Sequence, residues 1–494
     1  MVKIIPKPQA VEVLSDKRFT FAEETLKKVS AEGHGKEGYA LSIGEDGITA
    51  YASEDAGYFY ALMTLKQLYD EDGSLPHIYI KDAPAYPYRG YMLDCARHFF
   101  SVDTVKKQID AISLLKMNVF HWHLTEDQGW RLQLDNYPLF TEKGSYRAGT
   151  RGDGVPVSGF YTKDEVRDVI AYAAKRHIEV IPEIDMPGHM SAAIAAYPEI
   201  SCTGNPIEVK DSFGIHREVA CAGKESVYEF LFGVLGEVAD LFPSEYIHLG
   251  GDEALRLNWL DCPDCKAKMK EEGIADEHGL QAHFMYRMVE FLKTKGKRVI
   301  NWNDGMVSED IHSDITLHYW IENKVGKSAA AREMDKGRPT IFSPFFSYYL
   351  DYPHGMTPLK KTYLAYPMVE GAKKDANIIG VESPLWTEYV PTEEKLEYQS
   401  YPRTIAVAET GWSGGENKDY ANFLSRMEKV LKLFDKKGIK YATIKDANPG
   451  FFAGKWEVIK FFKNSWEKTQ MQSVKRINEN RRRLKALDKE RHNS

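Results

Sequence analysis

The sequence predicts an α/β protein: a closed (β/α)8 barrel preceded by a small α+β domain and followed by a short helical extension. Three observations carry that reading. From Tyr88 onward short apolar runs alternate with amphipathic helical segments, the pattern of parallel strands joined by crossover helices. The runs fall at residues 90–94, 119–124, 179–185, 246–250, 298–303, 316–320, 340–344 and 378–385, enough to close a barrel. Polar and aromatic residues then crowd just after the runs, where the carboxyl-end loops of such a barrel build a site.

Residues 1–84 read as the separate N-terminal unit. Strands around 39–42 and 48–52 are joined by Glu45-Asp46-Gly47, a hairpin signal. A helix follows, with Ser53 as its expected cap, Glu54 and Asp55 at its positive end, and Tyr58, Leu62, Leu65 and Leu68 at helical spacing. The segment Asp82-Ala83-Pro84-Ala85-Tyr86-Pro87 breaks regular structure and marks the boundary. In the barrel, residues 85–445, Val102, Val105, Ile109, Ile112 and Leu115 form one helical stripe, and Thr162-Lys163-Asp164-Glu165 is a capping box opening another helix. Residues 446–494 form the basic extension. Its FFAGKWEVIKFF segment has enough apolar residues to dock on the barrel or on another subunit, and RRRLKALDKER reads as a solvated helix.

With 494 residues the chain has length for two or three domains and an ample core. MVKIIPKPQAVEV contains neither a long apolar stretch nor a small-residue cleavage pattern, and nowhere do eighteen uncharged apolar residues run together. The expectation is a cytoplasmic protein without membrane spans. Net charge is −7, and the last twenty residues hold eight Lys/Arg against three Asp/Glu, leaving −12 on the rest. So acidic a body is a poor polyanion binder, so no nucleic-acid partner is expected. Cys262 and Cys265 form a lone C-x-x-C, and Cys202 and Cys221 flank a Gly-containing loop. The four leave open structural zinc, two disulfides or free thiols, while Cys95 reads as core.

The most informative stretch is HLGGDE, 248–253, which sets Asp252 beside Glu253 at a strand end. Adjacent acids raise the proton affinity of at least one partner, so one carboxyl can stay protonated near neutral pH while the other ionises. That division suits sugar hydrolysis, in which one group protonates a leaving oxygen and the other steadies a cation-like centre. The residues after the other runs fit a polyol: Asp94 and Arg97, Glu126 and Asp127, Asp185 and His189, Trp302, Trp320, Tyr349 and Asp351, Trp386 and Glu388. Carboxylates and Arg take hydroxyls, and indole faces cover C–H surfaces.

Together with LDCARHFF (93–100), HWHLTEDQGW (121–130), IPEIDMPGH (181–189), SYYLD (347–351), PLWTEY (384–389) and PRTIAVAETGW (402–412), HLGGDE resembles glycoside hydrolase family 20, the β-N-acetylhexosaminidases. The resemblance runs from the N-terminus to about Thr443. It implies an exo-acting enzyme that removes terminal GlcNAc, and possibly GalNAc, with retention and without a cofactor or catalytic metal. The sugar's 2-acetamido oxygen would act as nucleophile. By motif, Glu253 would be general acid and then base, Asp252 would orient the acetamide N–H, and Tyr349 would donate to the acetamide oxygen. Trp302, Trp320 and Trp386 would wall the pocket. Arg97, Asp351 and Glu388 would hold ring hydroxyls, and His189 would be supported by Glu126. An ionised Asp252 is the expected reason for Glu253 to hold its proton. Two positions depart from the family: Glu126 stands where an aspartate is usual, and Asn303-Asp304 follows Trp302 where many relatives carry acids ending in Glu.

Three rivals share these residues. His121 and His123, two apart on a strand, could hold a catalytic metal, although buried hydrogen-bonded core histidines fit them better. A conventional retaining glycosidase would use Asp185 or Glu388 as nucleophile. A sugar-binding protein on an inactive barrel would need no proton donor. Trp130, Trp412 and Trp456 read as packing residues, and Trp259 as either core or a lip for an outer sugar.

Overall fold

The computed structural model describes residues 2–21, 26–150, 154–373, 377–416, 418–465, 474–479, 482–483 and 486. Its first 82 residues fold as a five-stranded sheet under one helix. Strands Ala10–Phe19, Leu26–Ser30, Tyr39–Gly44, Gly47–Ala52 and Leu75–Asp82 lie in the order first, fifth, third, fourth, second. Pairing of Gly44 with Gly47 leaves Glu45-Asp46 as a two-residue hairpin loop. Gly47–Ala52 alternates half-buried and buried residues, which gives the helix Asp55–Leu68 an apolar face to cover. Ser53 does not cap that helix; its hydroxyl donates to Ala31 O, and Glu54 occupies the cap position without a side-chain hydrogen bond.

A polar knot fastens this domain to the barrel. Asp82, the last residue of the strand Leu75–Asp82, accepts hydrogen bonds from Tyr39 OH at 2.8 Å and from Trp412 Nε1 at 2.9 Å, and pairs with Lys116 Nζ at 2.8 Å. The Lys116 and Asp82 side chains are fully buried, so each is costly without the other.

The barrel closes in parallel register. Its strands are Tyr88–Asp94, Val119–His123, Glu179–Glu183, Tyr246–His248, Arg298–Trp302, Ile315–Tyr319, Thr340–Phe342 and Ile378–Leu385, and the eighth pairs with the first from Gly380↔Tyr88 to Leu385↔Leu93. Crossover helices follow the sequence signals. Ser101 caps Val102–Leu114, and both halves of the Thr162–Glu165 capping box are made at the start of Lys163–Ala174. Among the described residues no helix is long and apolar enough to cross a membrane.

Beyond the barrel, helix Phe451–Ser465 sets Phe461 against Tyr352 and Tyr389, with ring centroids 5.7 and 4.9 Å apart. Trp456, read from sequence as a packing residue, is instead exposed beside Phe451 and Phe452, because the helix turns its other side to the barrel. Trp130 and Trp412 are buried as packing residues, and Trp259 is core, donating through Nε1 to Ala220 O. Cys95 is buried under Trp122. Most of RRRLKALDKER lies outside the described residues, but just before it Arg476 donates to Ile215 O at 2.8 Å.

Candidate active site

The barrel interior is ionic. Glu183, at the end of the third strand, accepts from His123 Nδ1 at 2.6 Å and Trp302 Nε1 at 2.8 Å, and lies 3.0 Å from His121 Nε2. Glu382 of the eighth strand takes His121 Nδ1 at 2.9 Å and Tyr88 OH at 2.5 Å. Burial alone would raise both carboxyls, but the facing imidazoles outweigh it. They hold Glu183 well below the ordinary range and bring Glu382 down to about 2. In return His121, despite its burial, is raised to about 10 by the two carboxylates. With a carboxylate on each side, His121 ties the third and eighth strands across the floor.

Above this floor the fourth strand delivers HLGGDE by a tight turn. Gly250 and Gly251 adopt φ of 63° and 90°, and a Cβ on Gly250 would stand 1.8 Å from Asp185 Oδ1. Asp185 is there because its Oδ1 accepts from Gly251 N at 3.2 Å. Glu253 itself has φ 47°, a left-handed conformation that costs a side-chain-bearing residue energy and is held by its surroundings. One restraint is Asp304, which accepts from Glu253 N at 2.9 Å and from Trp320 Nε1 at 2.8 Å. Next to it, Asn303 Oδ1 accepts from the backbone N–H groups of Trp320 and Ile321. The departure Asn303-Asp304 thus ties the acid loop to a pocket tryptophan.

Arg97, His189, Asp252, Glu253, Trp320, Tyr349, Asp351, Trp386 and Glu388 all line one cavity of about 200 Å³. Trp320 and Tyr349 stack at 5.9 Å, Tyr349 lies 6.3 Å from Trp386, and the Arg97 guanidinium rides 4.9 Å above the Trp386 ring. Trp302 does not line the cavity. It is buried beneath Trp386, stacked 4.0 Å from His318, because Glu183 holds its N–H in the floor. Asp185 and Glu126 also lie outside the lining. Glu126, for all its extra methylene, reaches both its partners: Oε2 accepts from His189 Nδ1 at 2.9 Å, and Oε1 accepts from Arg97 at 2.5 Å. Phe213, Gly214, Ile215, Phe345, Tyr352 and Tyr389 complete the wall. Tyr389 ends the PLWTEY motif, whereas Phe213, Gly214, Ile215, Phe345 and Tyr352 belong to no quoted motif.

The charge states are set mainly by burial. It pushes Asp252 up to about 7, against the pull of His189 and with help from Asp304. It pushes Glu253 up to about 8, again opposed by His189, with the neighbouring Asp252 adding to the rise. The adjacent acid is therefore a contributor rather than the leading cause that the sequence suggested. Glu253 keeps 32% of its side chain exposed and Asp252 11%, so the acid reaches solvent while its partner sits deeper. His189 Nε2 stands 3.7 Å from Asp252 Oδ2 and 3.8 Å from Glu253 Oε2, a positive field over both. Asp252 Oδ1, Asp351 Oδ1 and Glu388 Oε2 are buried without a hydrogen-bond partner among the described residues, which equips the cavity for a ligand's N–H and O–H groups.

Comparison with known proteins agrees with this geometry. Residues 86–415 match the model of the glycosyl hydrolase family 20 catalytic domain, and residues 22–83 match that family's domain 2. The chain is 39% identical to a beta-hexosaminidase of Porphyromonas gingivalis over 84% of this chain and 56% of that protein. It is 38% identical to a beta-hexosaminidase of Vibrio furnissii over 76% of this chain and 65% of that one. It thus spans less than two thirds of either relative. Among solved structures it resembles a GH20 exo beta-N-acetylglucosaminidase from Vibrio harveyi in complex with N-acetylglucosamine. The TM-score is 0.81, with 31% identity, 90% of this chain and 78% of that chain covered.

Proposed function

Because the chain belongs to glycosyl hydrolase family 20, we propose that it is an exo-acting β-N-acetylhexosaminidase that removes terminal β-linked GlcNAc, and GalNAc where the 4-hydroxyl is accommodated, by a retaining, substrate-assisted route. The observation that carries this is Glu253, a solvent-reaching acid pushed up to about 8, beside the deeper Asp252, whose Oδ1 has no hydrogen-bond partner among the described residues, in an aromatic cavity. Beneath Trp386 the barrel is closed by Trp302 and the glutamate–histidine layer, which suits a chain end rather than an internal sugar.

At neutral pH Glu253 keeps its proton and can pass it to the leaving oxygen as the bond to the anomeric carbon breaks. The acetamide oxygen forms the replacing bond, giving an oxazolinium ring whose charge lies near Asp252. Asp252, kept ionisable by the His189 field, accepts the acetamide N–H and aligns the amide for attack. Tyr349 is placed to donate to the acetamide oxygen, and Trp320 and Trp386 enclose the methyl, where a hydroxyl would lack partners. Glu253, now a carboxylate, takes a proton from the water that attacks the anomeric carbon, and the acetamide re-forms. Arg97, Asp351 and Glu388 hold the outer ring hydroxyls. Asp185 is bonded to Gly251 N and lies below the cavity lining, which argues against it as an enzyme nucleophile.

Aryl β-glycosides of GlcNAc, GalNAc and glucose test the reading, with a thiazoline analogue as inhibitor. N-acetylated substrates should be turned over and the thiazoline should inhibit. Hydrolysis of the glucoside at a comparable rate, or indifference to the thiazoline, would refute the neighbouring-group mechanism. Absence of turnover on every substrate would favour a binding protein.

A further inference from the structure

Four cysteines outside the cavity meet in a way that neither catalysis nor core packing requires. Cys202 and Cys221 flank one loop and Cys262 and Cys265 open a helix some forty residues on, yet their four Sγ atoms all lie within 4.8 Å of one another. Cys202 and Cys265 are 3.9 Å apart, Cys221 and Cys262 3.8 Å, and Cys221 and Cys265 3.7 Å. A disulfide would draw a pair to about 2.05 Å, and all four are free thiols. Four thiolates each about 2.3 Å from one tetrahedral ion would stand about 3.8 Å apart along every edge. From that match we propose that Cys202, Cys221, Cys262 and Cys265 hold a structural zinc ion.

The surroundings are built for such a site. Cys221, Cys262 and Cys265 are buried, and fully buried Trp259 covers the cluster while its indole N–H fixes Ala220 O at 2.9 Å. The two arms touch so closely that a Cβ on Gly223 would lie 2.3 Å from Cys265 N. Four sulfur ligands leave no open position, so the ion would staple rather than catalyse. What it staples is the cavity wall. The loop between Cys202 and Cys221 carries Phe213, Gly214 and Ile215 to the rim, and Ala220 N donates to Pro187 O two residues before His189. The other arm begins with helix Leu257–Asp261, four residues after Glu253.

The full chain, purified without chelators or a metal-affinity step, provides the test. After gel filtration, elemental analysis should find one zinc per chain, and a mercurial reagent should release it in step with the loss of four thiols. A Cys262→Ser/Cys265→Ser double variant should retain roughly tenfold less zinc; if that variant does not fold, the wild-type titration decides alone. Zinc-free protein with four free thiols, peptide maps showing the cysteines joined as disulfides, or iron in place of zinc would each overturn the proposal. None of these readouts involves glycoside hydrolysis, so they stand or fall apart from the proposed activity.

Discussion

The floor of the barrel and its mouth both bury carboxylates, yet they treat protons in opposite ways. At the floor, Glu183 and Glu382 face His121, His123, Trp302 and Tyr88, and both carboxyls are held low. At the mouth, Asp185, Asp252, Glu253, Asp351 and Glu388 share Arg97 and His189, and all five are pushed up. Burial acts in the same direction in both places. The number of donors per carboxylate decides the outcome: where each acid has several, it ionises and braces the barrel; at the mouth Arg97 and His189 are already engaged by Asp94, Glu126 and Asp127, so the five remaining acids retain protons that can be transferred.

The largest test of this contrast is Glu253→Gln, expected to lower kcat/KM by about 10³-fold on a GlcNAc substrate with a poor leaving group, and much less with an activated phenolate that needs no proton. An equal loss on both substrates would remove Glu253 from the acid role. At the floor, Glu183→Gln strands buried imidazoles and should cost about 3–5 kcal/mol of stability, read from urea unfolding. A neutral result would mean that the floor is not braced by charge.

Asp252→Asn comes next, with an expected loss of about 10²-fold in kcat. In the wild type the active form has Asp252 ionised and Glu253 protonated. Activity should rise as the pair loses its first proton near 7 and fall as it loses the second near 8. The variant should lose the acid limb, and its alkaline limb should move down because the neighbouring charge is gone. The same acids carry a stability signature. With folded values raised above unfolded ones, they destabilise the native state as pH climbs from about 4 towards 7–8, so Asp252→Asn should melt higher than wild type at pH 8. The floor has the opposite sign: the Glu382 contribution is present above about 4 and lost as pH falls towards 2. The smallest effect is expected from Asp304→Asn, which can no longer accept both the Glu253 and Trp320 N–H groups; kcat should fall roughly tenfold.

The barrel was legible in the sequence because short, apolar-rich runs alternate with amphipathic helices, even though His121, His123, Glu183 and Glu382 interrupt them. Several expected runs extended past the strand ends, as at 179–185 against Glu179–Glu183, because site residues continue directly from the strand. Strand Ala10–Phe19 escaped notice for the converse reason: it is an edge strand, exposed over most of its length, and shows no apolar alternation. Motifs located Asp252, Glu253, Arg97 and the mouth aromatics. They did not reveal what Glu183, Glu382 or Asp304 bonds to, since Trp302 lies 119 residues from Glu183 and Asp304 lies 51 from Glu253. Trp302 shows the same limit: its position at a strand end suggests a wall and it packs with Tyr349 and Trp386, but its N–H partner Glu183 in the floor is visible in no motif.

The contact between Gly250 and Asp185 restricts how this protein can be redesigned. Any side chain at position 250 would displace the carboxylate that pins the acid-bearing turn, so that position offers no variation to a mutagenesis library. Selection for a new sugar preference would have to act on the rim loop around Phe213 to Ile215, where changes in bulk leave the turn untouched.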